Sequence, residues 1–246
     1  YLSQEDVLRS GIQMRQVLDT IESVLALHDA NQVVLPSKVI LDLGERERGR
    51  INAMPAYLGG EFNICGMKWI GSNSNNPLQH QLPNLMGVIM LNDPQTFAPI
   101  AILGAGWITA MRTAAASAIC VKYLAKGDAE KLCIIGAGVQ GRYQLLALQE
   151  VLPSLQEVRV CDTNVQTLAR FVETARVKSG VTLKPEADVV KAVKGSDIVV
   201  IAITDEHVFF KAEWIEEGVL ICSLGDTVME YEALRKMDKI VVDHLE

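Results

Sequence analysis

A glycine-rich turn between an apolar run and a helical pattern is the feature that most restricts how this chain can fold. The run Leu132–Ile135 is typical of a buried strand, and a turn with the spacing G-x-G-x-x-G follows it before a helical pattern that extends to Gln149. In such turns the glycines permit the tight bend, the approach of a pyrophosphate and the close packing of helix on strand. The sequence therefore predicts a Rossmann unit with dinucleotide phosphates at the positive helix end. The candidate cofactor-binding residues of the turn are Gly136, Gly138, Val139, Gln140 and Gly141.

A carboxylate at the end of the next strand indicates which dinucleotide this turn would bind. Asp162 follows the strand-like run Glu157–Cys161, about 20 residues after the turn, where a carboxylate can accept hydrogen bonds from the adenosine ribose. It would repel a 2′-phosphate, and no arginine stands directly after Thr163 and Asn164 to neutralise one. The predicted cofactor is therefore NAD rather than NADP. The alternative is that Asp162 only caps the following helix.

The second half of the chain continues to alternate between strand and helix patterns, which predicts a parallel α/β sheet. Strands are expected near 131–135, 157–161, 198–203, 219–223 and 239–242. We assign residues 116–246 to a Rossmann NAD-binding domain. The fold class is accordingly α/β, with a second domain before it.

The first half has a different pattern, of short β-type runs after two helices. A helix is expected to begin near residue 4, where Ser3 and Asp6 have the spacing of a capping box, and another follows Gly11. Runs at 33–43, 50–57, 63–70 and 85–92 predict a mostly antiparallel sheet, and an alanine-rich helix is expected at 107–125. We assign residues 1–115 to this α+β domain. The charged stretch 44–49 is expected to form a solvated hairpin tip, and 72–83 a long loop that could shape a binding site.

Composition and charge exclude several classes of partner. A net charge of -7 with no cluster of basic residues argues against nucleic-acid binding, and the apolar runs are too short to span a membrane. The four histidines have no metal-ligand spacing, so no metal site is predicted. The five cysteines form no C-x-x-C pair and are interpreted as reduced packing residues, and the first residues do not resemble a signal peptide. A cytoplasmic location is the expectation.

Three charged residues stand where chemistry could occur, and each also has a purely structural explanation. Arg112 lies among small residues on the predicted helix, where it could bind a substrate carboxylate or simply meet solvent. Lys68 lies in a strand of otherwise apolar character, which suggests either an anionic partner or an edge lysine whose ammonium reaches solvent. Asp226 follows a Rossmann strand at the edge where ligands bind, but it could equally cap a helix.

The pair Gly104 and Gly106 is interpreted as a cap turn rather than a second nucleotide site.

Several segments together resemble the ornithine cyclodeaminase and μ-crystallin family along nearly the whole chain. They are Met54–Tyr57, Gly66–Trp69, Leu91–Asp93, Ile108–Ala115 and Gly136–Gln140, in the family's order. The resemblance implies a homodimer in which the first domain binds substrate and forms the dimer, and in which the nicotinamide meets a small amino or imino acid. It assigns the substrate carboxylate to Lys68 and Arg112.

The same resemblance implies further site residues and a reaction. Lys38, Asn52 and Met54 become candidates for substrate contact, Thr113 for cofactor contact, and Asp226 matches the family's catalytic aspartate, with Lys68 also counted as catalytic. The leading expectation is that NAD oxidises L-ornithine to an imine, which cyclises with loss of ammonia and is reduced to L-proline.

Two departures from the family keep other activities open. Asn52 stands where the resemblance implies a carboxylate in ornithine-specific enzymes, and the segment 225–230 lacks their proline and glycine. The alternatives are an imino-acid (ketimine) reductase, an amino-acid dehydrogenase of the alanine dehydrogenase or diamino-acid precursor type, and a non-catalytic binder like μ-crystallin. Family members usually extend further, so terminal residues are expected to be missing from this sequence.

Overall fold

The protein divides into two compact units, Tyr1–Arg112 and Thr113–Glu246. The structure, a computed structural model, describes residues 1–44, 49–204, 207–225 and 228–242. The domain boundary predicted from the sequence lies at 115/116, within the helix that passes from the first unit to the second.

The first unit is built on a six-stranded sheet in which every strand pair is antiparallel. Its strands follow the order β1, β3, β4, β5, β6, and β2 also pairs with β3. The strands are β1 (Val33–Val34), β2 (Val39–Asp42), β3 (Arg50–Leu58), β4 (Ile64–Ser72), β5 (Leu85–Asn92) and β6 (Pro99–Gly104). The helices are α1 (Gln4–Arg9), α2 (Met14–Asp29) and α3 (Ala105–Leu124), the last of which continues into the second unit.

The first helix begins where its capping residues predict. The hydroxyl of Ser3 accepts a hydrogen bond from the backbone N–H of Asp6 at 3.2 Å, and the Asp6 carboxylate accepts one from the Ser3 backbone N–H at 2.9 Å. These bonds satisfy two N–H groups that have no partner within a helix end. The capping box predicted from the sequence is therefore confirmed.

Three details of the first unit differ from the sequence predictions. The run 33–43 forms two short strands rather than one, since Pro36 lacks an N–H and lies in the break between β1 and β2. The segment 72–83 is not only loop, because Asn76–His80 forms one turn of π-helix. The strand β6, which begins at a proline, was not predicted at all. The predicted hairpin tip at 44–49 falls mostly on residues 45–48, which lie outside the described residues.

The second unit contains a five-stranded, wholly parallel sheet in the order β11, β10, β7, β8, β9. Its strands are β7 (Lys131–Ile135), β8 (Glu157–Cys161), β9 (Thr182–Pro185), β10 (Ile198–Ile201) and β11 (Leu220–Ser223). Its further helices are α4 (Val139–Val151), α5 (Val165–Thr174), α6 (Val189–Val193) and α7 (Tyr231–Arg235). All four residues of β10 are buried, as are the last four of β7, which is typical of a parallel sheet covered on both faces. The predicted α/β fold class with a Rossmann sheet is confirmed.

One prediction about this sheet was wrong, and one strand was not predicted. Residues 239–242 do not form a strand, and their side chains are exposed. The apolar run alone suggested a strand, but a strand also needs a neighbour whose backbone groups are still unpaired. The edge strand β9 was missed, because it is short and ends in a proline that only an edge position tolerates.

Two further observations bear on the expectations from composition. No helix among the described residues is long and apolar enough to cross a membrane. The five cysteines are all free thiols, of which Cys133 and Cys161 are buried in the second unit. Burial raises the pKa of the Cys133 thiol to about 12, so this side chain is an unreactive packing group.

Candidate functional site

Two positions in the glycine turn of the second unit have no room for a side chain. Gly136 has a φ of 105°, and a side chain there would overlap the carbonyl oxygen of Ala202 at the end of β10. Its N–H donates to the carbonyl of Cys161 at 2.8 Å, which ties the turn to β8. A side chain at Gly141 would overlap the Gly136 carbonyl oxygen, so this glycine lets α4 lie directly against the turn.

The middle glycine, in contrast, borders open space. A side chain added at Gly138 would have no neighbour within 4 Å. Gly138 is the N-cap of α4, and no side chain among the described residues caps the first N–H groups of this helix. An anion at this end would be stabilised by those N–H groups and by the helix dipole. The turn therefore fits the pyrophosphate of a dinucleotide. Val139 is exposed beside it, and the half-buried Gln140 has a buried side-chain oxygen without a hydrogen-bond partner among the described residues.

Asp162 is a structural partner of this turn rather than a helix cap. One of its oxygens accepts from the N–H of Ala137 at 2.8 Å, and the other accepts from the N–H of Asn164 at 2.8 Å. The cap of α5 is Asn164, whose side chain accepts from the Thr167 N–H at 2.9 Å. Asp162 thus holds the glycine turn in shape, and its half-buried position at the end of β8 leaves it accessible to a ribose.

A buried polar contact behind the turn was missed by the sequence analysis. Gln144 on α4 is fully buried, and its amide nitrogen donates to the Ser117 hydroxyl at 3.2 Å. That hydroxyl in turn donates to the carbonyl of Thr113 at 3.3 Å. These bonds fix α4 against the segment of α3 that carries Thr113, a predicted cofactor contact. Nothing in the sequence marked Gln144, since it lies within an ordinary helical pattern.

Three of the predicted substrate residues share one face of the sheet in the first unit. Lys68 on β4 pairs directly with Met54 on β3 and with Ile89 on β5. Asn52 pairs with Ile70, two positions from Lys68 along the same strand. Because cross-strand partners and alternate residues project to the same side, Asn52, Met54 and Lys68 lie together. β4 is an interior strand of this sheet, so Lys68 is not an edge lysine.

Lys68 lies near the guanidinium of Arg112, which affects its protonation. Burial lowers its pKa to about 8, and the charge of Arg112 lowers it in the same direction. Among the described residues no carboxylate forms an ion pair with Lys68. Two neighbouring cations on a half-buried surface attract an anion, and a guanidinium beside an ammonium suits the two oxygens of a carboxylate. The pair has the chemistry of a carboxylate site.

The remaining predicted residues have different surroundings. Asn52 is half-buried, and its side-chain oxygen is buried without a hydrogen-bond partner among the described residues. Lys38 is exposed in the break before β2 and lies outside the strands. Asp226, the predicted catalytic aspartate, lies outside the described residues.

The glycine pair at the start of α3 has a packing role. A side chain at Gly104 would overlap the backbone of Gln4, and one at Gly106 would crowd the Gln4 amide. These glycines therefore let α1 approach β6 and α3 closely. In the part of the chain that the structure describes, no group of histidine, cysteine or acidic residues could hold a metal ion.

The opposite face of the same sheet is apolar and largely exposed. It holds Val39, Leu41, Trp69, Met86 and Ile102, each exposed over more than a third of its surface. A hollow of about 310 Å³ in this face is lined partly by Leu41, Ile51 and Met86. An exposed apolar patch of this kind is typical of a protein interface.

Comparisons with known proteins agree with these observations. A model of the ornithine cyclodeaminase/mu-crystallin family matches residues 2–246. The N-((2S)-2-amino-2-carboxyethyl)-L-glutamate dehydrogenase of Staphylococcus aureus is 35% identical over 254 residues, which cover 99% of this chain and 74% of that protein.

Two solved structures have the same fold. The delta(1)-pyrroline-2-carboxylate reductase of Thermococcus litoralis, in complex with NADH and L-proline, has a TM-score of 0.88 and 34% identity over 95% of this chain and 72% of that one. An archaeal alanine dehydrogenase dimer with bound NAD has a TM-score of 0.79 and 33% identity over 89% of this chain and 65% of that one. The chain thus spans 65–74% of the length of these relatives.

Proposed function

The chain belongs to the ornithine cyclodeaminase/μ-crystallin family, and on this basis we propose that it is an NAD-dependent oxidoreductase of a small α-amino or α-imino acid. The observation that carries the proposal is the position of Lys68, a half-buried cation beside Arg112 that forms no ion pair with a carboxylate among the described residues. A substrate carboxylate would supply the anion that Lys68 lacks there. The fold supplies a Rossmann turn for the dinucleotide in the same chain.

NAD is the proposed cofactor because both the turn and its carboxylate suit it. The open space at Gly138 and the uncapped N-terminus of α4 favour a pyrophosphate, and Asp162 would accept from the ribose while repelling a 2′-phosphate. The two solved relatives were determined with NADH or NAD. The bound nicotinamide would supply the hydride acceptor or donor.

The chain's own residues would bind and orient the substrate and exchange a proton. Lys68 and Arg112 hold the carboxylate, which leaves the α-carbon as the nearest reactive atom of a small amino acid. Asp226 is the proposed proton donor or acceptor, because it follows the last described strand of the Rossmann sheet, β11, by three residues. Met54, the direct partner of Lys68, would border the substrate's apolar part.

A reductase or dehydrogenase is better supported than the ornithine cyclodeaminase activity that was the leading expectation. The relatives described above are named as dehydrogenases or a reductase, at 33–35% identity. Asn52 is neutral, whereas the resemblance implies a carboxylate there in ornithine-specific enzymes. A second ammonium on the substrate would therefore have no counter-charge at this position.

We also propose that the protein is a homodimer, formed through the apolar face opposite Lys68. Burying apolar surface of this face between two protomers stabilises association by about 25 cal/mol per Å². The loss of translational and rotational freedom on association opposes this gain. The archaeal alanine dehydrogenase relative was solved as a dimer. Sedimentation velocity would test this, and Leu41→Glu is expected to shift the protein toward monomer.

The experiment that separates the activities uses two incubations. With delta(1)-pyrroline-2-carboxylate and NADH, or pyruvate with ammonia and NADH, net oxidation of NADH supports the reductase or dehydrogenase. With L-ornithine and a catalytic amount of NAD⁺, proline and ammonia formed without net NADH support the cyclodeaminase. A lack of turnover in every incubation, together with tight ligand binding, would favour the non-catalytic binder.

A further inference from the structure

Two buried glutamines on α4 differ in how well their amides are bonded. Gln149 is 4% exposed, its nitrogen donates to the Arg176 carbonyl at 3.0 Å, and its oxygen accepts from the Lys178 N–H at 2.7 Å. Gln144 is fully buried, but among the described residues only its nitrogen has a partner, the Ser117 hydroxyl at 3.2 Å. A buried amide with an unpaired oxygen costs stability, and an apolar side chain of the same size would avoid that cost. Stability alone therefore does not account for Gln144.

The two glutamines also lie at opposite ends of α4. A helix rises about 1.5 Å per residue, so Gln144 lies roughly 9 Å along the axis from Gly138, the N-cap that borders open space, and Gln149 roughly 17 Å from it. Helical side chains lean toward the N-terminus of their helix, which directs the Gln144 amide back toward the glycine turn. Gln144 thus belongs to the end of α4 that would bind the pyrophosphate.

On α3 the bonded hydroxyl belongs to Ser117, one helical turn after Thr113. Ser117 is 8% exposed and donates to the Thr113 carbonyl at 3.3 Å, whereas Thr113 itself is half-buried and accessible to a ligand. The nearby buried residues of α3 are small, namely Ala114, Ala115 and Ala118. Apolar packing through methyl groups has no direction, whereas a hydrogen bond does. The bond from Gln144 to Ser117 therefore determines where α3 presents Thr113 relative to α4.

We propose that Gln144 is a positioning residue for the dinucleotide, which acts through the Ser117 hydroxyl to hold Thr113 where it contacts the cofactor. The inference rests on the proposed function, in which NAD binds at the glycine turn, and on the predicted contact of Thr113. Gln144 does not touch the cofactor, because its side chain is fully buried. Without its amide the glycine turn keeps its shape but Thr113 can shift, so the affinity for the dinucleotide falls.

A matched pair of variants separates this role from a general loss of stability. Gln144→Met and Gln149→Met each replace a buried amide of α4 with an apolar side chain of similar size. Gln149→Met loses two side-chain hydrogen bonds and Gln144→Met one, so Gln149→Met should lower the thermal unfolding temperature at least as much. Fluorescence titration should nevertheless show NADH binding at least fivefold weaker in Gln144→Met and within twofold of wild type in Gln149→Met. Equal losses of affinity in the two variants would contradict the proposal.

Ser117 and Thr113 test the route by which Gln144 acts. Ser117→Ala removes the same bond with a smaller change in packing and should also weaken NADH binding at least threefold. In a Thr113→Ala background, Gln144→Met should weaken binding further by less than twofold, because the contact that it positions is already gone. Fully additive losses would contradict the route through Thr113.

Steady-state kinetics with delta(1)-pyrroline-2-carboxylate give a second readout. In Gln144→Met the KM for NADH should rise at least fivefold while kcat changes by less than twofold, since the amide affects where the cofactor binds and not the reacting atoms. A loss confined to kcat would contradict the positioning role.

The outcomes separate this inference from the proposed function. If the wild type does not bind NADH, the cofactor site and the inference fail together. If the wild type binds NADH, and Gln144→Met and Ser117→Ala bind it equally well, the inference fails while the proposed function stands. If Gln144→Met does not fold, the affinity of Ser117→Ala for NADH decides the matter alone.

Discussion

Replacing Lys68 with methionine is expected to stabilise the protein while it lowers the activity. Burial and the charge of Arg112 lower the pKa of Lys68 from 10.5 to about 8. At about 1.4 kcal/mol per pH unit, this difference corresponds to roughly 3 kcal/mol by which folding disfavours the charged lysine. Because the side chain is only half-buried, solvent screening reduces that figure. We expect Lys68→Met to raise the free energy of unfolding by about 1–2 kcal/mol at pH 7.

The pH dependence gives this prediction a definite sign. The folded protein releases the Lys68 proton near pH 8, whereas the unfolded chain holds it until about 10.5. The free energy of unfolding of the wild type should therefore increase as pH rises from 8 to 10.5. Below pH 8 Lys68 is charged in both states, and its unfavourable contribution to stability is at its full size. The advantage of Lys68→Met should accordingly be largest at pH 7 and shrink toward pH 10. Urea unfolding followed by circular dichroism at both pH values measures it.

The activity should change in the opposite direction. Loss of a charge-assisted bond to the substrate carboxylate removes about 1.5–3 kcal/mol, so kcat/KM should fall by roughly 10- to 150-fold. Lys131→Met is the control, because Lys131 is exposed at the start of β7 and its replacement should change stability by less than about 0.5 kcal/mol. A destabilised Lys68→Met protein, or one with wild-type kcat/KM, would refute the reasoning.

The other predictions concern the cofactor site and the proton transfer. Gly138→Ala should unfold at the wild-type temperature but bind NADH at least tenfold more weakly by fluorescence titration, because the new methyl group meets only the space that the pyrophosphate needs. Gly141→Ala should instead lower the unfolding temperature by several degrees, since the methyl group overlaps the Gly136 carbonyl. Asp162→Ala should weaken NADH binding about tenfold, and the same titration should show a smaller preference for NADH over NADPH. Asp226→Asn should keep NADH binding while kcat falls about 100-fold or more in a stopped assay, and an unchanged kcat would remove Asp226 from the mechanism.

The sequence predicted the Rossmann unit well because its signals are local. The strands β7 and β8 have the predicted limits, since each is a short apolar run bounded by a turn. A side chain at Gly136 would overlap the Ala202 carbonyl oxygen, and one at Gly141 would overlap the Gly136 carbonyl oxygen. Both close approaches are typical of this motif. Residues 239–242 looked equally apolar but formed no strand, because strand formation depends on a partner that the local sequence does not contain.

The substrate face shows what the sequence could not supply. The resemblance assigned Lys68 and Arg112 to the same substrate carboxylate. The effect of burial and of the Arg112 charge on the pKa of Lys68 follows only from the folded structure. The bond from the Ala137 N–H to Asp162 joins residues 25 positions apart in sequence, and the bond from Gln144 to Ser117 joins residues 27 apart. Such contacts depend on how elements pack, which periodicity and spacing do not reveal.

The central claim is direct hydride exchange between NAD(H) and the α-carbon of a small amino or imino acid. The most direct test incubates the protein with NADH carrying deuterium at C4 of the nicotinamide, on either face, together with delta(1)-pyrroline-2-carboxylate, and follows the product by NMR. We expect proline with deuterium at the α-carbon from only one of the two labelled cofactors, because a fixed site presents one face. Absence of deuterium from the α-carbon of the proline formed, or no oxidation of NADH with this or any other small imino acid, would contradict the claim.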